Sequence, residues 1–368
     1  MKVAGIICEY NPFHNGHRYH IKKTREISGC DVLVCVMSGN FVQRGESAIC
    51  DKWLRAKEAI LQGVDLVLEL PFPWVVQSAD YFAQGAITIL QNAGVDTLVF
   101  GSECNDITYL KELASTRKEA YKQQQKDGIS YAKAFSQVHS SIASNDILGV
   151  AYLKALEHTH IIPYTIQRTN TYLSTTMDAS ISSATAIRKG IEEGVDVSHT
   201  TSMSSLLNNE HDISLYYPYI QTFLTTAPKA YLEQLFLMDE GIESHLIKQA
   251  LRHFDWHSFL QGCTSKRYPT TSIQRTLIHV LTQTTKAEMN ALPSPNYLHT
   301  LAFNNTGKAY LRELKANEAL IASSFSQIPS PYRELEMRAA RAYAYPLTPT
   351  KRKECLDGEL QPPIYVDL

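Results

Sequence analysis

The apolar run Val3-Ala4-Gly5-Ile6-Ile7-Cys8 breaks abruptly into Glu9-Tyr10-Asn11-Pro12-Phe13-His14-Asn15-Gly16-His17. The run reads as a buried first strand, and the residues after it can carry a helix. Pro12 stiffens the entry to the turn, and Gly16 lets backbone approach a ligand closely. The first N–H groups of the helix and its dipole favour anions at that turn. Two imidazoles three residues apart, His14 and His17, suit the phosphates of a nucleotide there. The opening residues therefore demand an α/β fold with an anion site at the end of its first strand.

The pattern repeats along the first 190 residues. Short β-branched runs at Val3–Cys8, Asp31–Met37, Asp65–Leu70, Thr97–Phe100 and Ile161–Gln167 alternate with helical spacing at Lys52–Gln62 and Gln77–Ala93. Such alternation predicts βαβ units and a parallel sheet flanked by helices. Ligands of these sheets bind outside the carboxyl ends of the strands. Glu9-Tyr10-Asn11, Ser38-Gly39-Asn40, Glu69-Leu70-Pro71 and Gly101-Ser102-Glu103 stand at those ends. Residues 106–147 read as helix and polar connection, with a solvated run at Lys122–Lys126. Beyond about residue 200 strand signals nearly vanish. Helical spacing recurs at Ile213–Thr225, Ala230–Met238, His245–Phe254, Ser272–Leu281 and Lys308–Ala316. The expected division is an α/β domain over 1–195 and a mainly α-helical domain over 196–368.

A chain of 368 residues exceeds one ordinary core, which supports two domains. No apolar run reaches the roughly 20 residues that span a bilayer, so no membrane partner is expected. The apolar run before Glu9 is too short for a secretory leader, and a cytoplasmic location is expected. Seven cysteines without a C-x-x-C pair argue for reduced thiols rather than zinc or disulfides. The net charge of −2 hides an asymmetry: residues 1–244 hold 20 Lys and Arg against 27 Asp and Glu, whereas residues 245–353 hold 15 against 6. A basic second half points to a polyanionic partner.

His14-Asn15-Gly16-His17 has the form H-x-G-H. A second element, Ile181-Ser182-Ser183-Ala184-Thr185-Ala186-Ile187-Arg188, follows the last predicted strand. Ser182 or Ser183 can cap a helix, with the Ser183 and Thr185 hydroxyls near its N-terminus. Arg188, about one turn on, can reach a polyphosphate bidentately. The loop Met37–Glu46, framed by Gly39 and Gly45, suits a cover over a nucleotide. Asp65 and Glu69 read as structural acids.

These paired elements resemble the HIGH/nucleotidyltransferase superfamily. The longer strings resemble the bacterial tRNA(Met) cytidine acetate ligase family. They are Gly5 to His17, Val36-Met37-Ser38-Gly39-Asn40-Phe41-Val42-Gln43-Arg44-Gly45-Glu46, Asp65 to Pro71, Phe100-Gly101-Ser102-Glu103, Ile147-Leu148-Gly149 and Ser183 to Arg188. The resemblance implies a Rossmann-like, HIGH-type nucleotidyltransferase domain ahead of the helical one. It implies an ATP-dependent ligase that forms acetyl-adenylate and acetylates N4 of the wobble cytidine in elongator tRNA(Met). Its partners would be ATP, acetate and that tRNA.

By the same resemblance, His14, His17, Ser183, Thr185 and Arg188 are the expected catalytic residues. ATP would contact Ile7, Cys8, Glu9, Tyr10, Asn11, Pro12, Phe13, His14, Asn15, Gly16, His17, Arg18, Tyr19 and His20, with Gly101, Asn145 and Arg168. Magnesium is expected on the pyrophosphate oxygens, with no protein ligand. Lys266, Arg267 and Arg275 are the expected tRNA contacts. The chain departs from the family pattern at Asp146, where an Asn is usual, and at Ser272 and His299, where Arg is expected. Two other readings share the first half of the site. One is a nucleotidyltransferase that adenylates a small phosphorylated metabolite, the other a non-catalytic, nucleotide-sensing RNA-binding protein.

Overall fold

The structure, a computed structural model, describes residues 1–115, 142–168 and 181–368. The run Lys122–Lys126 lies outside the described residues. Strands Val3–Cys8 (β1), Val32–Ser38 (β2), Leu66–Leu70 (β3), Thr97–Ser102 (β4) and Ile162–Gln167 (β5) pair in parallel, in the order β5-β4-β1-β2-β3. All five meet the predicted runs to within two residues at either end.

Helices cover both faces, so the inner strands are apolar on both sides. Alternate residues feed two cores. Val3, Val32, Val34 and Val36 pack with Phe82, Ile87 and Leu90 of Ala79–Asn92 (α3) and Leu153 of Ser144–Ala155 (α4). Ala4, Ile6, Leu33 and Cys35 face Ile21 of Asn15–Ser28 (α1) and Trp53 and Ile60 of Lys52–Leu61 (α2). β2 flanks β1 on one side and β4 flanks it on the other. At that reversal of strand order the connections diverge, and a crevice opens above the carboxyl ends of β1 and β4. Ala184–Glu192 (α5) follows β5.

The helical part has its own core. Tyr217–Thr226 (α6), Ile242–Ala250 (α7), Trp256–Cys263 (α8) and Thr270–Thr282 (α9) enclose Ile220, Leu246, Phe259 and Leu277, each fully buried. The helix expected over Ala230–Met238 is a single turn, Lys229–Leu232, after which Leu235 bridges to Thr285.

The chain stays mainly helical from 196 to 368, but it also returns strands to the sheet. Leu298–Phe303 (β6) returns to the sheet and pairs antiparallel with β3, Leu66 facing Phe303. Asn305–Ala316 (α10) follows, then Ile321–Ala322 (β7) pairs with β6. Ser330–Ala344 (α11) and Pro349–Glu359 (α12) lead to Ile364–Tyr365 (β8), also on β6. The edge of β3 would otherwise present unpaired N–H and C=O groups, which favours such a return. His299 and Thr300 interrupt the apolar run of β6 and hide its strand signal.

His299 is buried and belongs to this junction rather than to a surface. Its Nδ1 lies 2.6 Å from Glu69 Oε2. Lys52 Nζ donates to both Glu69 oxygens at 2.8 and 2.9 Å and to Glu359 Oε1 at 2.5 Å. Burial works to raise the Glu69 pKa, but Lys52 and His299 outweigh it and hold it at about 2. This cluster fastens α12 and β6 to the nucleotide-binding half. Lys52→Met strands two buried carboxylates, and it is expected to lower stability by about 3–5 kcal/mol, measured by urea unfolding followed through tryptophan fluorescence.

Candidate active site

A cavity of about 470 Å³ opens above the carboxyl ends of β1 and β4, within the ordinary range for a small-molecule site. Its floor is held by a buried arginine. Arg55 of α2 donates to the carbonyls of Glu9 (2.6 Å), Ser38 (3.2 Å) and Cys50 (3.0 Å), and also to Gly39. It thereby ties the end of β1 to the end of β2.

His14 caps α1 and begins the phosphate turn. The Gly16 N–H donates to His14 Nδ1 at 3.1 Å, and the His14 N–H donates to His17 Nδ1 at 3.2 Å. The rings stack with centroids 3.8 Å apart, and Tyr10 meets His17 edge-on at 4.8 Å. Burial, with Arg168 nearby, lowers the His14 pKa from 6.5 to about 3. Burial, His14 and Arg168 push His17 well below its ordinary value. Both imidazoles are therefore neutral at pH 7. With each Nδ1 accepting a backbone N–H, each ring carries its hydrogen on Nε2. The two rings line the cavity and offer it two N–H donors without charge.

Ser183 caps α5, its Oγ accepting the Ala186 N–H at 3.0 Å. Arg188 spans the mouth: Nη1 donates to the Asn11 carbonyl at 2.8 Å, and Nη2 pairs with Glu46 at 3.2 Å. Ser183, Ala184 and Arg188 line the cavity, whereas Thr185, one residue farther along the helix, does not.

Of the segment from Ile7 to His20, the cavity is lined by Ile7, Cys8, Glu9, Tyr10, Asn11, His14, His17 and His20. Pro12, Phe13, Asn15, Gly16, Arg18 and Tyr19 are outside its lining. Phe13 is a fully buried core residue, and Arg18 is exposed and donates to Gln62. Gly101, Asn145 and Arg168 converge on the opposite wall. Arg168 packs beside Gly101, where a Cβ would stand 3.1 Å from its Cγ. Its buried Nε has no hydrogen-bond partner among the described residues, the condition of a donor that awaits a ligand. Asn145 donates to Glu103 at 2.6 Å. Asp146, the departure from the family's Asn, accepts the Ser102 hydroxyl at 2.5 Å and the N–H groups of Glu103 (2.9 Å) and Cys104 (3.1 Å). Its carboxylate thus shapes the turn after β4.

The three expected RNA contacts separate. Lys266 and Arg267 are exposed in the loop before α9, where Arg267 pairs with Glu240 at 2.6 Å. Arg275 stands apart from them and lines the cavity. Burial, with Arg44 beside it, lowers its pKa to about 10. Gly45 makes that approach possible. It adopts φ +77, and a Cβ there would lie 2.3 Å from the Arg275 nitrogen. The loop over the cavity therefore rests directly on the backbone of α9. Phe82, Tyr152 and Thr271 also line the cavity. They carry no motif, and only the packing of α3, α4 and α9 brings them there. Among the described residues no cluster of three His, Cys, Asp or Glu could hold a metal.

The parallel sheet, the H-x-G-H turn and the capped second helix define a nucleotidyl transferase of the HIGH type, and that family's model, HIGH Nucleotidyl Transferase, matches residues 1–357. Within it, the chain belongs to the tRNA(Met) cytidine acetate ligase family. It is 37% identical to the tRNA(Met) cytidine acetate ligase of Anoxybacillus flavithermus, over 99% of each chain. It is 39% identical to that of Caldicellulosiruptor saccharolyticus, over 94% of each. Among solved structures, Thermotoga maritima TmcAL superposes with a TM-score of 0.89 in its apo form and 0.87 when bound with alpha-thio ATP. Both are 28% identical over 100% of each chain.

The His14 imidazole links folding to pH. Its pKa is lower in the folded chain than in the unfolded one, so its contribution is full above about pH 6.5. It is lost as the pH falls from there toward about 3, because the unfolded chain takes up the proton first. Urea midpoints measured across that window are expected to fall less steeply in His14→Gln than in the wild type.

Proposed function

We propose that this chain acts as a tRNA(Met) cytidine acetate ligase. It uses ATP to convert acetate into acetyl-adenylate, then transfers the acetyl group to N4 of the wobble cytidine of elongator tRNA(Met), giving N4-acetylcytidine. The observation that carries the reading is the pair of neutral imidazoles at the crevice, both with Nε2–H as the free donor. The α-thio ATP complex of the Thermotoga maritima structure supports nucleotide binding in this crevice.

Acetate is ionised at neutral pH, so its attack at the α-phosphorus needs no general base. Charge develops instead on the phosphoryl oxygens, where His14 and His17 donate. Ser183, Arg188 and the N-terminus of α5 take the β- and γ-phosphates, with Thr185 supporting that helix end. Gly101, Asn145 and Arg168 hold the nucleoside end. Among the described residues the cavity carboxylates are Glu9 and Glu46, the latter paired with Arg188, and no cluster of three could hold a metal. A magnesium ion would arrive on the phosphates of the nucleotide.

The RNA approaches along α9. That helix begins beside the exposed Lys266 and Arg267 and delivers Thr271 and Arg275 into the cavity. Phosphates docked on the loop would place a flipped base at the crevice. Such a surface suits a polyanion and exceeds what a small metabolite needs. The compartment that fits these substrates is the cytoplasm. Among the described residues no helix is long and apolar enough to cross a membrane.

Incubation with ATP, labelled acetate and total tRNA is expected to yield acetylcytidine in the digested RNA. AMP transferred to a metabolite, with no label in tRNA, would overturn the reading. His17→Ala is expected to slow adenylate formation by about 100-fold or more, measured as acetate-dependent exchange of labelled pyrophosphate into ATP. Lys266→Glu with Arg267→Glu is expected to raise the KM for tRNA about tenfold more than the KM for ATP, and to weaken the salt dependence of RNA binding.

A further inference from the structure

Among the described residues Glu9 and Glu46 are the carboxylates that line the cavity, and they are held differently. Glu46 faces Arg188 in an ion pair. Glu9 stands at the end of β1, where the strand order reverses, and its own carbonyl is fixed by Arg55. Its Oε1 accepts the Gln43 N–H at 2.7 Å, whereas its Oε2 has no hydrogen-bond partner among the described residues. One oxygen is anchored, and the other is left for a ligand.

Acyl transfer to cytosine creates a need for such an oxygen. The lone pair of the exocyclic amine is delocalised into the ring, so N4 is a weak nucleophile. It becomes acidic as its bond to the acetyl carbon forms, and its proton must leave for the product to persist. The imidazoles cannot take that proton. Nδ1 of His14 and of His17 already accepts a backbone N–H, and Nε2 carries the hydrogen. His20 lines the cavity too, but its Nε2 is bonded to the Val99 carbonyl at 3.0 Å.

We propose that Glu9 is the proton acceptor of the transfer step, with Gln43 holding Oε1 while Oε2 receives the proton from N4. The proposal rests on the ligase reading above. In the step the N4–C bond forms and the C–O bond to the adenylate phosphate breaks. AMP departs with that electron pair, and the amine proton passes to Glu9 and then to solvent. The charged groups that face Glu9 are Arg44 and Glu46 from the loop after β2, and Arg55 from α2. Burial raises its pKa above the ordinary carboxylate value, against the Gln43 N–H and Arg44. A base of raised pKa is better matched to work near neutral pH.

Glu9→Gln keeps an oxygen for the Gln43 N–H and nearly the same volume, but it cannot take a proton. With enzyme preloaded with ATP and labelled acetate, single-turnover transfer to a tRNA transcript is expected to slow about 100-fold or more. Pyrophosphate exchange should fall by much less, about tenfold at most. Wild-type transfer should decline on acidification, because Glu9 must be ionised to accept the proton, and Glu9→Gln should not follow that decline. Glu9→Asp should keep the acidic decline at a reduced overall rate. Wild-type transfer rates in Glu9→Gln, equal losses in the two half-reactions, or a Glu9→Asp profile without the decline would each overturn the role. If the wild type itself forms no acetylcytidine, the ligase reading falls and the role of Glu9 falls with it. If the wild type does and Glu9→Gln matches it, only the role of Glu9 falls.

Discussion

Arg55 spends its guanidinium on carbonyls. A fully buried arginine that meets no carboxylate has only backbone oxygens with which to satisfy its donors, and here they come from Glu9, Ser38, Gly39 and Cys50. These oxygens mark the carboxyl ends of β1 and β2 and the start of α2. Holding them together sets the depth of the crevice and the direction in which Glu9 leaves the sheet. The phosphate turn beyond it begins from that fixed point. Arg188 then closes the other side by donating to the carbonyl of Asn11.

Within that frame the proposed role of the histidines rests on hydrogen placement rather than charge. Burial keeps both rings neutral, and two backbone N–H groups consume their Nδ1 atoms. Donors fixed in this way need no rearrangement as charge grows on a phosphoryl oxygen, which is the condition for electrostatic preorganisation. The cations stand around them rather than in their place: Arg168 beside Gly101, Arg188 at the mouth, and Arg44 with Arg275 under the covering loop. Because Gly45 seats that loop on α9, a shift of the helical part changes the wall of the nucleotide cavity directly.

The sheet and the phosphate turn were legible because they are local. Each strand is a short run of apolar residues with period two or none, and H-x-G-H lies within a single strand-to-helix turn. The return strand β6 was not legible, since its apolar pattern is broken by His299 and Thr300. Those residues make sense only once Glu69 and β3 are beside them. Asp146 stood out in the string as a departure from the family pattern, and the fold makes it an acceptor for three groups of one turn. Arg275 looked like a surface cation in a basic cluster, and helix α9 aims it inward.

The sequence by itself determined the α/β class and the place of the H-x-G-H turn between first strand and first helix, because strand periodicity and helix-start chemistry act over a few residues. Tertiary structure alone decided three things. It kept the imidazoles neutral by burying them, it brought α9 into the cavity, and it left one oxygen of Glu9 free. Each of these depends on which distant groups share a buried volume. Hydrogen-bond accounting in that volume is settled between Gln43 and Glu9, or Arg188 and Asn11, residues that only the fold makes neighbours.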